Sequence, residues 1–177
     1  MGAIKIKKLT PIMQGARLKT LFPLSEFTVL KHGLGIRWKG CLQPNPISQL
    51  YQISVTYFQG KPPLTKVHTP LIIPEGKKLP HVYSQSKQEL CLYYPKNNEW
   101  YSGLWIVETI VPWASEWLYH YENWVATGDW KGGGIEHEQA TKEEVGTVIA
   151  KEKFSNSLFK RWKNRYPSAK GKDLGST

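Results

Sequence analysis

The chain has 177 residues, a net charge of +10 and eight tryptophans, and 12% of its residues are aromatic. That is enough for one domain with a real core, and too rich in large apolar side chains for disorder over most of its length. There is no apolar run near the ~20 residues of a membrane span, no secretory apolar region at the start, and no lipidation signal, so the sequence predicts a soluble, cytoplasmic protein with two reduced cysteines, Cys41 and Cys91.

Thr10-Pro11 reads as a helix start, with a capping hydroxyl and a proline at the first helical position, and Pro23 ends the helix. Ile12, Met13, Leu18, Leu21 and Phe22 are its expected apolar face, with Gly15 as a weak point. Between Phe27 and Leu71 the period changes to two. Ile36, Trp38 and Leu42 alternate with Arg37, Lys39 and Cys41, and Tyr51, Ile53, Val55 and Tyr57 alternate with Gln52, Ser54 and Thr56. With Phe27 to Leu30, Lys66 to Leu71, and turns at Gln43-Pro44-Asn45-Pro46 and Gly60-Lys61-Pro62-Pro63, this predicts a four-stranded antiparallel meander with one face against a core. Cys41 falls on its polar side.

An irregular stretch follows through Ile73-Pro74-Glu75-Gly76 to Pro80 and Cys91. Ser102 is then expected to cap a short helix carrying Leu104, Val107, Ile110 and Val111, interrupted at Pro112. A second helix carries Trp113, Trp117, Tyr121 and Trp124 at spacings of four, four and three, and Gly128 stops it. Such an aromatic stripe reads as core. Gly132-Gly133-Gly134 lacks the Lys and Ser or Thr of a phosphate-binding loop. Thr141 and Glu144 form a capping box for a helix bearing Val145, Val148 and Ile149, and Leu158, Phe159, Trp162 and Tyr166 continue at helical spacing. Residues 141–177 therefore read as a basic helical extension of a single α+β domain spanning 1–177.

Charge is unevenly spread: residues 1–98 carry +11, 99–144 carry −7 and 145–177 carry +6. A basic chain of pI about 9.5 invites a nucleic-acid reading. No helix-turn-helix, zinc-finger or RNA-recognition signature accompanies it, so solvated basic faces are the expectation. His32, His68, His81, His120 and His137 show no zinc spacing with the cysteines, and neither a metal nor a cofactor is expected.

The nucleophile candidate is Cys91, in the stretch PHVYSQSKQELCLYYP that begins at Pro80. An accessible thiolate performs covalent acyl chemistry, whereas a buried cysteine is only a small hydrophobe, so exposure decides its role. Pro80-His81-Val82-Tyr83, Leu90-Cys91-Leu92-Tyr93-Tyr94-Pro95, the ten-residue spacing of His81 and Cys91, Trp100 opening a helical stretch and the Trp-rich run from Trp113 to Trp130 resemble the active-site region of ubiquitin-conjugating enzymes. More closely, they resemble the stand-alone ubiquitin-conjugating-like proteins of type II CBASS antiphage operons, most clearly over residues 35–137.

The resemblance implies a ubiquitin-conjugating-like fold, with an N-terminal helix, four-stranded meander, active-site loop and C-terminal helices. It implies transferase activity through a thioester on Cys91, with the C-terminal tail of a cGAS-like nucleotidyltransferase as acyl donor. His81 would then brace the loop. Val82-Tyr83 stands where ubiquitin-conjugating enzymes carry Pro-Asn, and Tyr83, Asn97 and Asn98 are alternatives for that missing asparagine. Two further classes stay open: a binding module of the same fold without turnover, and a nucleic-acid binder using the basic ends.

Overall fold

The computed structural model describes residues 8–94 and 97–133. The expected helices beyond Thr141, together with Gly134, His137 and Pro95, lie outside the described residues. Those described form an α+β arrangement of two α-helices on one six-stranded antiparallel sheet.

Helix α1 (Pro11–Leu21) starts as its sequence predicts: the Met13 N–H donates to Thr10 Oγ1 at 3.3 Å, and Pro11 fills the first turn, where no N–H partner is needed. Its inward face differs from the expected one. Leu18 and Leu21 are buried, but Ile12 and Met13 are exposed, and Gln14 and Gly15 point inward instead. Gln14 is fully buried because its amide is fully used: Nε2 donates to Leu104 O at 2.8 Å and Oε1 accepts from Ile106 N at 2.9 Å. That pair ties α1 to the segment entering the second helix. At Gly15 a Cβ would sit 2.7 Å from Phe27 Cδ2, so glycine is what lets helix and sheet approach.

The meander is present as β1 (Glu26–Leu30), β2 (Gly35–Leu42), β3 (Tyr51–Phe58) and β4 (Leu64–Val67), neighbours in chain order. Register follows the period-two pattern: Trp38 opposite Val55, Ile36 opposite Tyr57, all fully buried, while Arg37, Lys39 and Cys41 face out. Trp38 lies edge-on to Phe22 and donates from Nε1 to Ser25 Oγ at 2.8 Å, which satisfies its one polar atom.

The sheet does not end at four strands. β4 stops at Val67, short of the expected Leu71, and a hairpin of β5 (Val82–Ser84) and β6 (Glu89–Leu90) adds to its edge, giving the order β1-β2-β3-β4-β6-β5. The cysteine segment, expected to be irregular, thus begins as an edge strand. After it, residues 99–105 form no helix. Trp100 packs edge-on against Tyr57 instead of opening one.

Pro112 does not interrupt a helix. A 3₁₀ turn at Ile106–Glu108 leads into one helix, α2 (Ile110–Thr127), in which Pro112 is the third residue, inside the first turn where its missing N–H has no intrahelical partner to lose. Ser102 caps nothing here. Gly128 closes α2 at φ 81°, its N–H donating to Trp124 O at 2.8 Å. Trp117, Tyr121 and Trp124 are buried as expected of core, in one cluster with Leu18, Trp38, Ile53, Tyr57 and Leu118.

In an exposed helix, Gly→Ala raises stability by about 0.5–1 kcal/mol. For Gly15→Ala the opposite sign is expected, a loss of about 1–3 kcal/mol from forcing the Phe27 ring aside. Urea unfolding followed by tryptophan fluorescence checks it, and a stabilised variant would show that α1 and β1 are not in the contact described.

Candidate active site

Four aromatic side chains on or just after α2 grip the chain that leads to Cys91. The Tyr121 hydroxyl accepts from Ile72 N at 2.7 Å and donates to Ile72 O at 3.0 Å, so one phenol satisfies both main-chain groups of a residue outside any strand. Trp117 Nε1 donates to Pro80 O at 3.2 Å. Trp130 stands 5.4 Å from the His81 ring and 5.6 Å from Trp117, centroid to centroid. Trp113 packs on Tyr93 at 5.7 Å. The residues flanking Cys91 are therefore held from both directions.

Two glutamines complete the support. Gln85 pairs with Leu79 through both its amide atoms at 2.8 Å, and Gln88 donates to Val67 O and Thr69 O at 2.9 Å while accepting from Leu71 N at 2.9 Å. These side chains replace ladder partners for the crossing segment 69–79. An ion pair of Lys66 with Glu89 at 2.8 Å fastens β4 to β6 on the outer face.

His81 adopts φ 49°, a left-handed conformation that costs a residue with a Cβ about 1 kcal/mol or more. The conformation accompanies a bond in which the Cys91 N–H donates to His81 O at 2.9 Å. The histidine and cysteine that sequence reasoning singled out are thus joined through the main chain, and the His81 ring lies on Trp130.

Cys91 is partly exposed and not disulfide-bonded, with its Sγ 3.8 Å from Tyr93 O, and Cys41 is a separate free thiol on the exposed sheet face. Tyr83 is half exposed, and its phenol is held well above the ordinary range, first by partial burial and then by the neighbouring Cys91 side chain. Tyr93, buried behind the cysteine, is pushed up to about 12, by burial first and then by Cys91. Asn97 and Asn98 are both exposed in the turn after Tyr94.

Tyr93 and Trp130 have no sequence signal of these roles beyond lying in the motifs that carry the resemblance, Gln85 and Gln88 have none, and beside them lies a cavity that local pattern does not reveal. About 210 Å³ in volume, it is bounded by residues 62–65 on one side, by Leu90, Leu92 and Tyr93 on the other, and by Tyr83. The proline pair of the β3–β4 turn was its one sequence signal, read there only as a turn.

On the outer sheet face Arg37, Lys39 and Lys66 surround His68, whose pKa is lowered by burial first and then by those three cations; its Nε2 lies 2.8 Å from Ser54 Oγ. His68 is neutral near pH 7. Among the described residues no three His, Cys, Asp or Glu side chains converge in a way that would hold a metal ion, and no helix is long and apolar enough to cross a membrane.

A family model described as Type II CBASS E2 protein matches residues 14–138, a span that begins within α1 and contains the whole sheet, Cys91 and α2. No curated protein matches the chain.

The raised phenol of Tyr93 sets a pH dependence whose sign is fixed. A group with a folded pKa above its ordinary ~10 contributes stability that is complete below about pH 10 and is lost as pH rises towards about 12. Tyr93→Phe should flatten the alkaline decline of stability in that window, by up to ~1.4 kcal/mol per pH unit. Denaturant melts between pH 9 and pH 12, within the about 10–12 window and just below it, check this; an unchanged slope would mean Tyr93 is as solvated in the fold as in the unfolded chain.

Proposed function

The chain belongs to the type II CBASS E2 protein family, which gives it a role in bacterial antiphage defence alongside other CBASS proteins, and from that premise we propose that Cys91 is its acyl-carrying nucleophile. The observation that carries the reading is the presentation of Cys91: a partly exposed thiol whose main-chain N–H is held by His81 O, on a segment braced by the aromatic side chains of α2 and Trp130.

In the proposed reaction the Cys91 sulfur attacks the activated carbonyl of a partner's C-terminus. A C–S bond forms, the activating group leaves with its electron pair, and the thiol proton passes to solvent. An amine, usually of a lysine, then attacks the thioester; a C–N bond forms and the Cys91 thiolate departs. The partner we propose is a cGAS-like nucleotidyltransferase through its C-terminal tail. A thioester is reactive to amines without a strongly perturbed thiol, so the lack of a cation cluster around Cys91 in the sequence is compatible with this chemistry.

Both tetrahedral intermediates carry an oxyanion, and one lost donor to such an oxyanion costs ~2.7–4 kcal/mol. We assign that donor to Tyr83, because its phenol stays neutral well above the ordinary range and the Cys91 side chain is among the neighbours that hold it there. His81 keeps a bracing role through its carbonyl and its ring on Trp130. The fold this requires is the ubiquitin-conjugating one, supported by the order α1, meander, cysteine segment, α2.

Mixed with its nucleotidyltransferase and any activating factor of the system, the protein should form an adduct that survives denaturant and dissolves in excess thiol or hydroxylamine. Cys91→Ala should abolish it, Cys91→Ser should leave a more durable oxyester, and Tyr83→Phe should slow it about 100-fold. Mass spectrometry of the mixtures decides. A folded, reduced protein that gives no thiol-sensitive adduct favours the binding module without turnover.

A further inference from the structure

The sheet has two edges. One is the short β5, next to the cysteine segment, and the other is β1, whose outer side pairs with no strand among the described residues. Edge strands are ordinarily shielded by lysine, proline or a bulge, because their unpaired N–H and C=O groups template a further strand. β1 has none of these: it carries neither lysine nor proline, and its register on β2 is unbroken from Glu26 to Leu30. Val29 stands half-exposed on the same face as Phe27, the face on which α1 lies.

The exposed apolar groups around this edge are divided between its two ends. α1 runs antiparallel to β1, since Ile12 lies at Gly33, Gly15 meets Phe27, and the Lys19 amine donates to Ser25 O. Beyond Leu30 stand the half-exposed Ile12 and the largely exposed Leu34; before Glu26 stands Leu24, wholly in solvent. Charge is divided too, with the Glu26 carboxylate opening the strand and the Lys31 ammonium following it.

A two-fold interface is one patch that matches its own reverse, so each group at one end meets the group at the other end in the second copy. β1 and its surroundings have that property. We propose that β1 pairs antiparallel with β1 of a second copy of this chain, centred on Thr28, which joins the two sheets edge to edge. In this register Phe27 faces Val29 across the seam, so both α1 helices stay on one side, and each Glu26 comes beside the other copy's Lys31. Leu24 of each copy lies alongside Ile12 and Leu34 of the other. An unrelated extended segment would add to the same edge without using its two ends reciprocally. The β5 edges, and with them both Cys91 segments, remain free at the far ends of the joined sheet.

Sedimentation equilibrium of the full chain should give the mass of two copies, falling to one on dilution. Leu24→Asp and Leu34→Lys should each weaken association roughly tenfold or more, each change being felt twice in a two-fold interface. Both side chains are largely in solvent in the single copy, so the unfolding midpoint of dilute, dissociated protein should stay where it is in the wild type. Mixed one to one, the two variants should regain the mass of two copies, because the mixed pair sets the new carboxylate against the new ammonium at one end and keeps Leu24 against Leu34 at the other. A chain that keeps the mass of one copy up to about 1 mM overturns the inference. A dimer that both variants leave intact overturns it as well, and so do variants that dissociate singly but do not recombine.

Discussion

The site depends on one constraint, the grip of an aromatic stripe on a segment that has little regular structure of its own. Residues 68–81 make no strand, and the hairpin after them has strands of three and two residues, too short to hold a geometry alone. Tyr121, Trp117, Trp130 and Trp113 take hold of this chain at Ile72, Pro80, His81 and Tyr93 in turn. Because α2 is itself packed on the sheet in the buried core, with Tyr51 edge-on to Tyr121 and donating to Glu122, the position of Cys91 is tied to that core. Losing a buried aromatic of this kind costs ~3–5 kcal/mol, a large share of a domain's stability, so fold and site cannot be separated at these positions.

The chemistry proposed for Cys91 asks little of the thiol and more of its surroundings. A carrier must accept an acyl group and release it, so a donor for the transient oxyanion and a defined path for the incoming tail matter more than a strongly activated sulfur. In the proposed chemistry Tyr83 answers the first of those needs. On that proposal Val82-Tyr83 exchanges one donor for another where Pro-Asn would stand, and the Tyr83 side chain also borders the cavity.

Where side chains obey a local period, the sequence was readable. Strict alternation in β2 and β3 placed Trp38 and Tyr57 inside and Cys41 outside, and Thr10-Pro11 marked the start of α1. Cys91 and His81 were singled out by the resemblance of their spacing and flanks, and the fold joins them through the Cys91 N–H and the His81 carbonyl. The failures share a cause: a distant partner overrode the local signal. Gln14 took an inward position that polarity denies it because Leu104 and Ile106 satisfy its amide, and Ile12 turned outward in consequence. The β5–β6 hairpin was missed because its support comes from Gln85 and Gln88 bonding to main chain 6 to 21 residues away. Pro112 was read as a breaker for want of knowing where the first turn began. Among Tyr83, Asn97 and Asn98 no local rule could choose, since contact with Cys91 is set by the sheet edge.

The central claim, that α2 holds the cysteine segment in place, is tested most directly by amide hydrogen exchange on Tyr121→Phe, which keeps the ring but removes both bonds to Ile72. The account predicts that Ile72 and Cys91 amides lose protection while those of β2 and β3 stay as slow as in the wild type. Unchanged protection at Cys91, or a loss spread evenly over the sheet, would contradict it.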